Sequence, residues 1–224
     1  MSIVDEEDVI FSELEKQMPT IIRDGVADES EYLSARYKIL YVLKEVNGGE
    51  SWDLRQFIRE GGRPQTWDNI ARWTEAILNW DTGQMSWNEL DKSKEDNEQR
   101  RKNMLKKIAA INLKKTSGGY TADGKVISSA AKANKCIIRK QLDIYNPDII
   151  VCCGTDGDFV EACYSDAKIE WKSTSRGIWY FIHDGKVIIS FTHPEARVKD
   201  AILYYSFYDA IREILLERNN PQKY

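Results

Sequence analysis

The sequence predicts an α/β fold, a three-layer α/β/α sandwich around a central, mostly parallel four-stranded sheet. Strand-length apolar runs alternate with longer helical patterns along the chain, which is the order that lays helices on both faces of such a sheet. The runs are apolar at successive positions rather than at every second one, as in strands covered on both faces. Three of them end in polar side chains, Glu45, Asn112 and His193, and ligands of open α/β sheets bind at strand carboxyl ends.

The elements follow in order. Asp5 to Gln17 carries Val9, Ile10 and Leu14, with Met18 beyond, near helical spacing, and Pro19 breaks the pattern. A short helix fits Glu29 to Tyr37. The first strand is expected over Ile39 to Glu45, then a flexible turn at Asn47-Gly48-Gly49, and Ser51 as N-cap of a helix from Trp52 to Glu60. Gly61-Gly62-Arg63-Pro64 ends that helix. The next, Trp67 to Trp80, lines up Ile70, Trp73, Ile77 and Trp80 on one face, and Asn88 to Lys107 reads as one long, charged, exposed helix. Ile108 to Leu113 is the second strand. Lys114 to Lys125, with Ser117-Gly118-Gly119-Tyr120 and Asp123-Gly124, is a loop able to meet phosphate or to serve as a plain connection. Ser128 to Tyr145 is helical, Pro147-Asp148 turns the chain, and Ile149 to Cys153 is a third strand ending at Gly154. After a helix from Thr155 to Tyr164, the segments Trp179–Ile182 and Lys186–Thr192 flank His183-Asp184-Gly185 as a hairpin. Ala196 to Glu217 closes the chain as a helix.

A chain of 224 residues can bury one sizeable core without splitting. Residues 1–35 are expected as an acidic helical segment packed on a domain spanning 36–224. No apolar run approaches the ~18 residues of a membrane span and no signal peptide opens the chain, so a cytoplasmic monomer is expected. Cys136, Cys152, Cys153 and Cys163 show no metal-type C-x-x-C spacing and read as reduced, buried thiols. Neither metal nor cofactor is expected. The formal net charge is −4, but its distribution says more. Twelve Lys or Arg stand against the single acid Asp123 between Gln99 and Lys140, whereas Met1 to Ala35 carries ten acids against two bases. Such polarisation suits a face presented to a phosphate backbone. It equally suits solvated helices that neutralise one another.

The segments Ile39-Leu40-Tyr41-Val42-Leu43-Lys44-Glu45-Val46-Asn47, Ile108-Ala109-Ala110-Ile111-Asn112-Leu113 and Val187-Ile188-Ile189-Ser190-Phe191-Thr192-His193-Pro194 resemble the motifs of the uracil-DNA glycosylase superfamily over roughly residues 36 to 217. In that family the first strand ends in a residue holding the attacking water, a later strand in a base-reading Asn, and a His-Pro turn opens the last helix. The strand ending at Cys153-Gly154 also looks like the family's apolar strand ending in Gly. Val46 stands where the family often has Pro, and Glu195 where it often has Ser. The iron-sulfur cysteines of some branches are missing.

The resemblance implies a monofunctional enzyme that flips a nucleotide out of DNA and hydrolyses its N-glycosidic bond. The bond breaks through an oxocarbenium-like sugar and an anionic base, which calls for negative charge near C1′ and donors at the base oxygen. Glu45 would orient water, a neutral His193 would donate to O2, and the Asn112 amide would read the pyrimidine edge. Trp52 would wall the pocket, Arg197 on the first turn of the last helix would fill the gap in the duplex, and Lys114 and Lys115 would meet phosphate. Uracil-specific members place a bulky aromatic after the first motif. Here Asn47-Gly48-Gly49 would leave the C5 side open to enlarged bases, such as the hydroxymethylated and glucosylated cytosines of phage genomes, as in an antiviral defence enzyme. Uracil or mismatched thymine is the alternative substrate.

Plainer roles stand beside these. Glu45 suits a salt bridge to a nearby lysine, Asn112 a tie between loop and strand, and His193 a helix start capped by Thr192. Lys44 suits a Schiff-base nucleophile, but strand alternation points it away from Glu45. A catalytically silent DNA-binding protein of the same fold is a second class of function. A nucleotide-binding α/β protein is a third, disfavoured because no G-x-G-x-x-G follows the first strand.

Overall fold

The computed structural model describes residues 1–18, 20–49, 52–119 and 121–219. Pro19, Ser51 and Tyr120, to which the sequence assigns a break, a cap and part of a loop, lie outside the described residues.

Helix α1 (Ile3–Glu15) leads to strand β1 (Gly25–Val26), helix α2 (Glu29–Ser34), strand β2 (Ile39–Leu43) and a two-residue strand β3 (Val46–Asn47). Helices α3 (Leu54–Arg59), α4 (Pro64–Leu78), α5 (Trp87–Leu90) and α6 (Lys94–Met104) follow. Strand β4 (Ile108–Asn112) and the short β5 (Ser117–Gly118) precede α7 (Gly124–Ala133) and α8 (Lys135–Tyr145). Strand β6 (Ile149–Cys153), helix α9 (Asp156–Tyr164), strands β7 (Lys172–Ser173), β8 (Trp179–His183) and β9 (Lys186–Phe191), and helix α10 (Asp200–Asn219) complete the described residues.

The fold is α/β with a mostly parallel central sheet flanked by helices, but the sheet has seven strands, not four, in the order β1-β4-β2-β6-β9-β8-β7. The four inner strands β4, β2, β6 and β9 are mutually parallel. The additions are antiparallel: β1 on one edge, and β8 and β7 on the other. The β8–β9 hairpin is the expected one, with Asp184 and Gly185 both at positive φ (49° and 75°), as a tight two-residue turn requires. The acidic segment 1–35 is woven into the sheet, because it supplies β1.

Alternation along the inner strands feeds two cores. Ile39, Tyr41, Ile108, Val151 and Ile189 pack with Trp73, Phe207 and Ile211 on one face. Leu40, Val42, Ile111, Ile150 and Ile188 pack with Ile138 and Phe159 on the other. The predicted α4 face, Ile70, Trp73, Ile77 and Trp80, is buried, whereas Val9 of α1 is exposed.

Two expected long helices are broken. Ser93 starts α6 by accepting the Asp96 amide (3.1 Å), which interrupts the expected run from Asn88. Asp123 caps α7 at Lys125, and Asn134 separates α7 from α8 while its amide donates to the Leu113 carbonyl (2.9 Å). The final helix starts at Asp200 rather than Ala196, where the Asp200 carboxylate accepts from Asn69 (2.9 Å) and Arg72 (3.4 Å). Cys152 and Cys153 are buried free thiols, Cys163 is half-buried, and Cys136 is exposed, against the expectation that all four are interior. No helix among the described residues is long and apolar enough to cross a membrane.

Candidate active site

Because the inner strands are parallel, their carboxyl ends share one rim. Asn112 is the last residue of β4, Lys44 and Glu45 follow β2, Gly154 follows β6, and His193 lies two residues past β9. Across the rim the order is Asn112, Lys44 and Glu45, Gly154, His193. At the usual strand spacing, β4 and β9 stand roughly 14 Å apart.

Asn112 is 2% exposed, and neither its Oδ1 nor its Nδ2 has a hydrogen-bond partner among the described residues. A buried polar group without a partner costs about 1–3 kcal/mol. Its backbone is fixed instead, since the Asn112 N–H donates to the buried Asp24 carboxylate (2.7 Å). Asp24 also accepts from Lys115 Nζ (2.9 Å) and from the Gln141 amide (2.8 Å). The backbone is therefore held in place while the side-chain amide is left unused, and it does not make the loop tie that its position alone suggests.

Glu45 is enclosed. Its Oε2 accepts from Lys114 Nζ (2.7 Å), whose ammonium also donates to the Ser117 carbonyl (2.7 Å). A side chain at Gly118 would overlap the Glu45 carboxylate as placed, so the absence of a side chain where β5 passes leaves Glu45 its position. The pairs Val46↔Ser117 and Asn47↔Gly118 zip the segments after β2 and β4 together. The plainer sequence expectation, a carboxylate bridged to a neighbouring lysine, is realised, although with the Glu45 side chain only 8% exposed it is no surface pair.

His193 is oriented through its backbone neighbour. The Glu195 N–H donates to Nδ1 (3.1 Å), which leaves Nε2 as the protonated nitrogen of the neutral ring. Burial holds the imidazole below its usual range, Lys44 and Arg63 push the same way, and Glu195 opposes them. Helix α4 anchors the turn: Asn69 donates to the Pro194 carbonyl (2.9 Å), and Arg63 pairs with Glu195 (2.8 Å). Glu195, where the sequence departs from the motif, thus docks the His-Pro turn.

The remaining candidates separate. Trp52 packs on the glycine turn, donating to the Gly48 carbonyl (3.3 Å) and meeting Phe57 edge-on at 5.4 Å. A Cβ on Gly49 would lie 2.7 Å from its indole nitrogen, whereas one on Gly48 would meet nothing within 4 Å. Arg197 is exposed in the turn before α10, not on the helix's first turn. Lys115 is a correction. Its side chain is 0% exposed and locked on Asp24, with the Gln141 amide oxygen accepting from it at 2.7 Å, so no phosphate reaches it. Burial pushes its ammonium below the usual lysine range, with Asp24 opposing. Much of the basic strip is also paired within the protein, because Arg100, Arg101, Lys102, Lys107, Lys114, Lys115 and Arg139 all pair with acids.

Asp24 and Asn69 support the rim without a sequence signal that marks them, and Gly118, which the sequence marks only as part of a loop, seats Glu45. Lys44 has such a signal, lying beside Glu45, and it reaches toward Gly154 on the His193 side. Among the described residues no group of three or more His, Cys, Asp or Glu is placed to hold a metal. His183 lies at the other end of β9, facing the Tyr164 ring in a cleft of about 550 Å³. No protein-family model matches this chain, and no curated protein matches it.

Proposed function

We propose that this protein is a monofunctional DNA glycosylase of the uracil-DNA glycosylase superfamily, acting on a flipped, non-canonical pyrimidine. The observation that carries this reading is the Asn112 amide, buried and unpartnered at a strand end. It offers a donor and an acceptor to a pyrimidine edge, and a base bound there would supply the partners it lacks. The His193 ring supports the same reading, since a neutral imidazole with its proton on Nε2 can donate to the base O2 as negative charge builds.

In the proposed reaction the N1–C1′ bond breaks, and its electron pair passes to the base and is delocalised onto O2. Water adds to C1′ and gives up a proton, and the base leaves protonated. Glu45 would orient that water through Oε1, since Lys114 occupies Oε2. Trp52 would wall the pocket. Asn47-Gly48-Gly49 adds no bulk beyond Trp52 after the first motif, and Gly48 has nothing within 4 Å of a built Cβ, so the substrate is read as an enlarged base such as a hydroxymethylated or glucosylated cytosine of phage DNA, which would make the protein a defence enzyme. Arg197, exposed beside the rim, would enter the gap in the duplex.

The Glu45–Lys114 pair favours one other reading, a catalytically silent DNA-binding protein, because a neutralised carboxylate is a weaker partner for a cationic sugar. The deciding experiment measures abasic sites in DNA carrying uracil, mismatched thymine, hydroxymethylcytosine or its glucosylated form. Alkali-labile product from one base, lost in Asn112→Ala, supports the enzyme. Salt-sensitive binding without product from any DNA leaves the silent module.

A further inference from the structure

Lys44 is half-buried, and its ammonium has no hydrogen-bond or ion-pair partner among the described residues, although a carboxylate follows it in sequence. That carboxylate, Glu45, turns to Lys114 and Gly118 on the β4 side. Lys44 turns the other way. A Cβ built on Gly154 would lie 3.8 Å from Lys44 Cε, 3.9 Å from Lys44 Nζ and 3.9 Å from the His193 backbone nitrogen. The lysine tip and the start of the His-Pro turn thus flank one glycine, whose φ of 68° disfavours any side chain there. The other charges around His193 are already engaged, because Arg63 and Glu195 pair with each other at 2.8 Å. Among the described residues Lys44 is therefore an unpaired cation at the start of the His-Pro turn.

We propose that Lys44 is a catalytic residue of this site, donating with His193 to the oxygen of the departing base. This deepens the glycosylase reading and rests on it. When the N1–C1′ bond breaks, the electron pair that reaches the base oxygen meets an imidazole N–H from one side and the ammonium from the other. Neither group gives up its proton: Lys44 stays a cation, His193 stays neutral, and water supplies both the hydroxyl that closes C1′ and the proton that the departing base takes up. A half-buried ammonium with no competing partner is available to developing negative charge where water screens it less than at the surface.

The experiment compares wild-type protein, Lys44→Met and Lys44→Arg in single-turnover excision from DNA carrying pyrimidines of graded leaving-group acidity. Binding to the same DNAs and thermal unfolding are measured in parallel. Lys44→Met is expected to lose about 10²-fold in rate at unchanged affinity, and Lys44→Arg to recover part of it. The deficit should shrink as the leaving base becomes more acidic, a dependence that a structural defect does not produce. A Lys44→Met rate equal to wild type on every base overturns the proposal. So does a loss confined to affinity, with a salt slope lower by about one, because that marks a phosphate contact. If wild-type protein excises none of the bases, the glycosylase reading itself fails, and Lys44 falls with it.

Discussion

The Glu45 carboxylate and the Lys114 ammonium are 2.7 Å apart, with the Cα of Gly118 closing the third side. The two motif segments therefore act as one unit, and a change in the loop after β4 is felt at the residue after β2. On the proposed glycosylase reading, Gly118→Ala is expected to displace Glu45 and lower excision about 10²-fold or more, as misplacing a reacting group does. Single-turnover excision with a parallel unfolding curve checks this. Wild-type rates in a folded variant would show that Glu45 does not need its enclosure.

Asn112 predicts opposite effects on stability and function. Removing an unpartnered buried amide relieves a desolvation cost, so Asn112→Ala should unfold at equal or higher denaturant, by up to about 2 kcal/mol. Excision should be lost. Urea unfolding beside the excision assay tests the pair, and a clear loss of stability would mean that the amide has partners in solution.

His193 gives a pH dependence of definite sign. Its folded pKa lies below the ordinary 6.5, so the unfolded chain takes up a proton first as pH falls. Its contribution to stability is full above 6.5 and is lost as pH drops through the folded value. Excision that needs the neutral ring should stay flat as pH is lowered to 6.5 and fall only below it. Titration of the ring by NMR alongside a pH–rate profile checks this, and a ring pKa above 6.5 would contradict it.

Lys115 and Arg197 should divide cleanly. Lys115→Met strands a buried Asp24 and is expected to cost about 3–5 kcal/mol in unfolding, with no change in the salt dependence of DNA binding. Arg197→Ala should leave stability within about 0.5 kcal/mol and lower the salt slope by about one. Denaturation curves and binding isotherms at several salt concentrations separate the two.

Residues 39–43, 108–112 and 149–153 form strands where their unbroken apolar runs place them, because burial on both sheet faces leaves no other pattern. The parallel order of those strands and of β9 then carries Asn112, Glu45 and His193 to one rim, so the polar strand ends were legible as a set. The outer strands were not, because β1 and β7 are two residues long and exist only through pairing with a neighbour. The helix breaks at Ser93 and Asn134 depend on side chains capturing local or distant backbone groups, which periodicity does not report.

The sequence by itself determined the element types, the two-faced core and which polar residues end the strands, since these follow from local hydrophobic pattern. Only the tertiary structure decided which charges remain available. Lys114 and Lys115 are neighbours in sequence, yet one closes on Glu45 and the other is buried on Asp24. Lys44 alone of these three keeps an unpaired ammonium among the described residues. Electrostatic pairing acts across the fold between residues 69 and 91 positions apart, so no reading of neighbours along the chain can assign it.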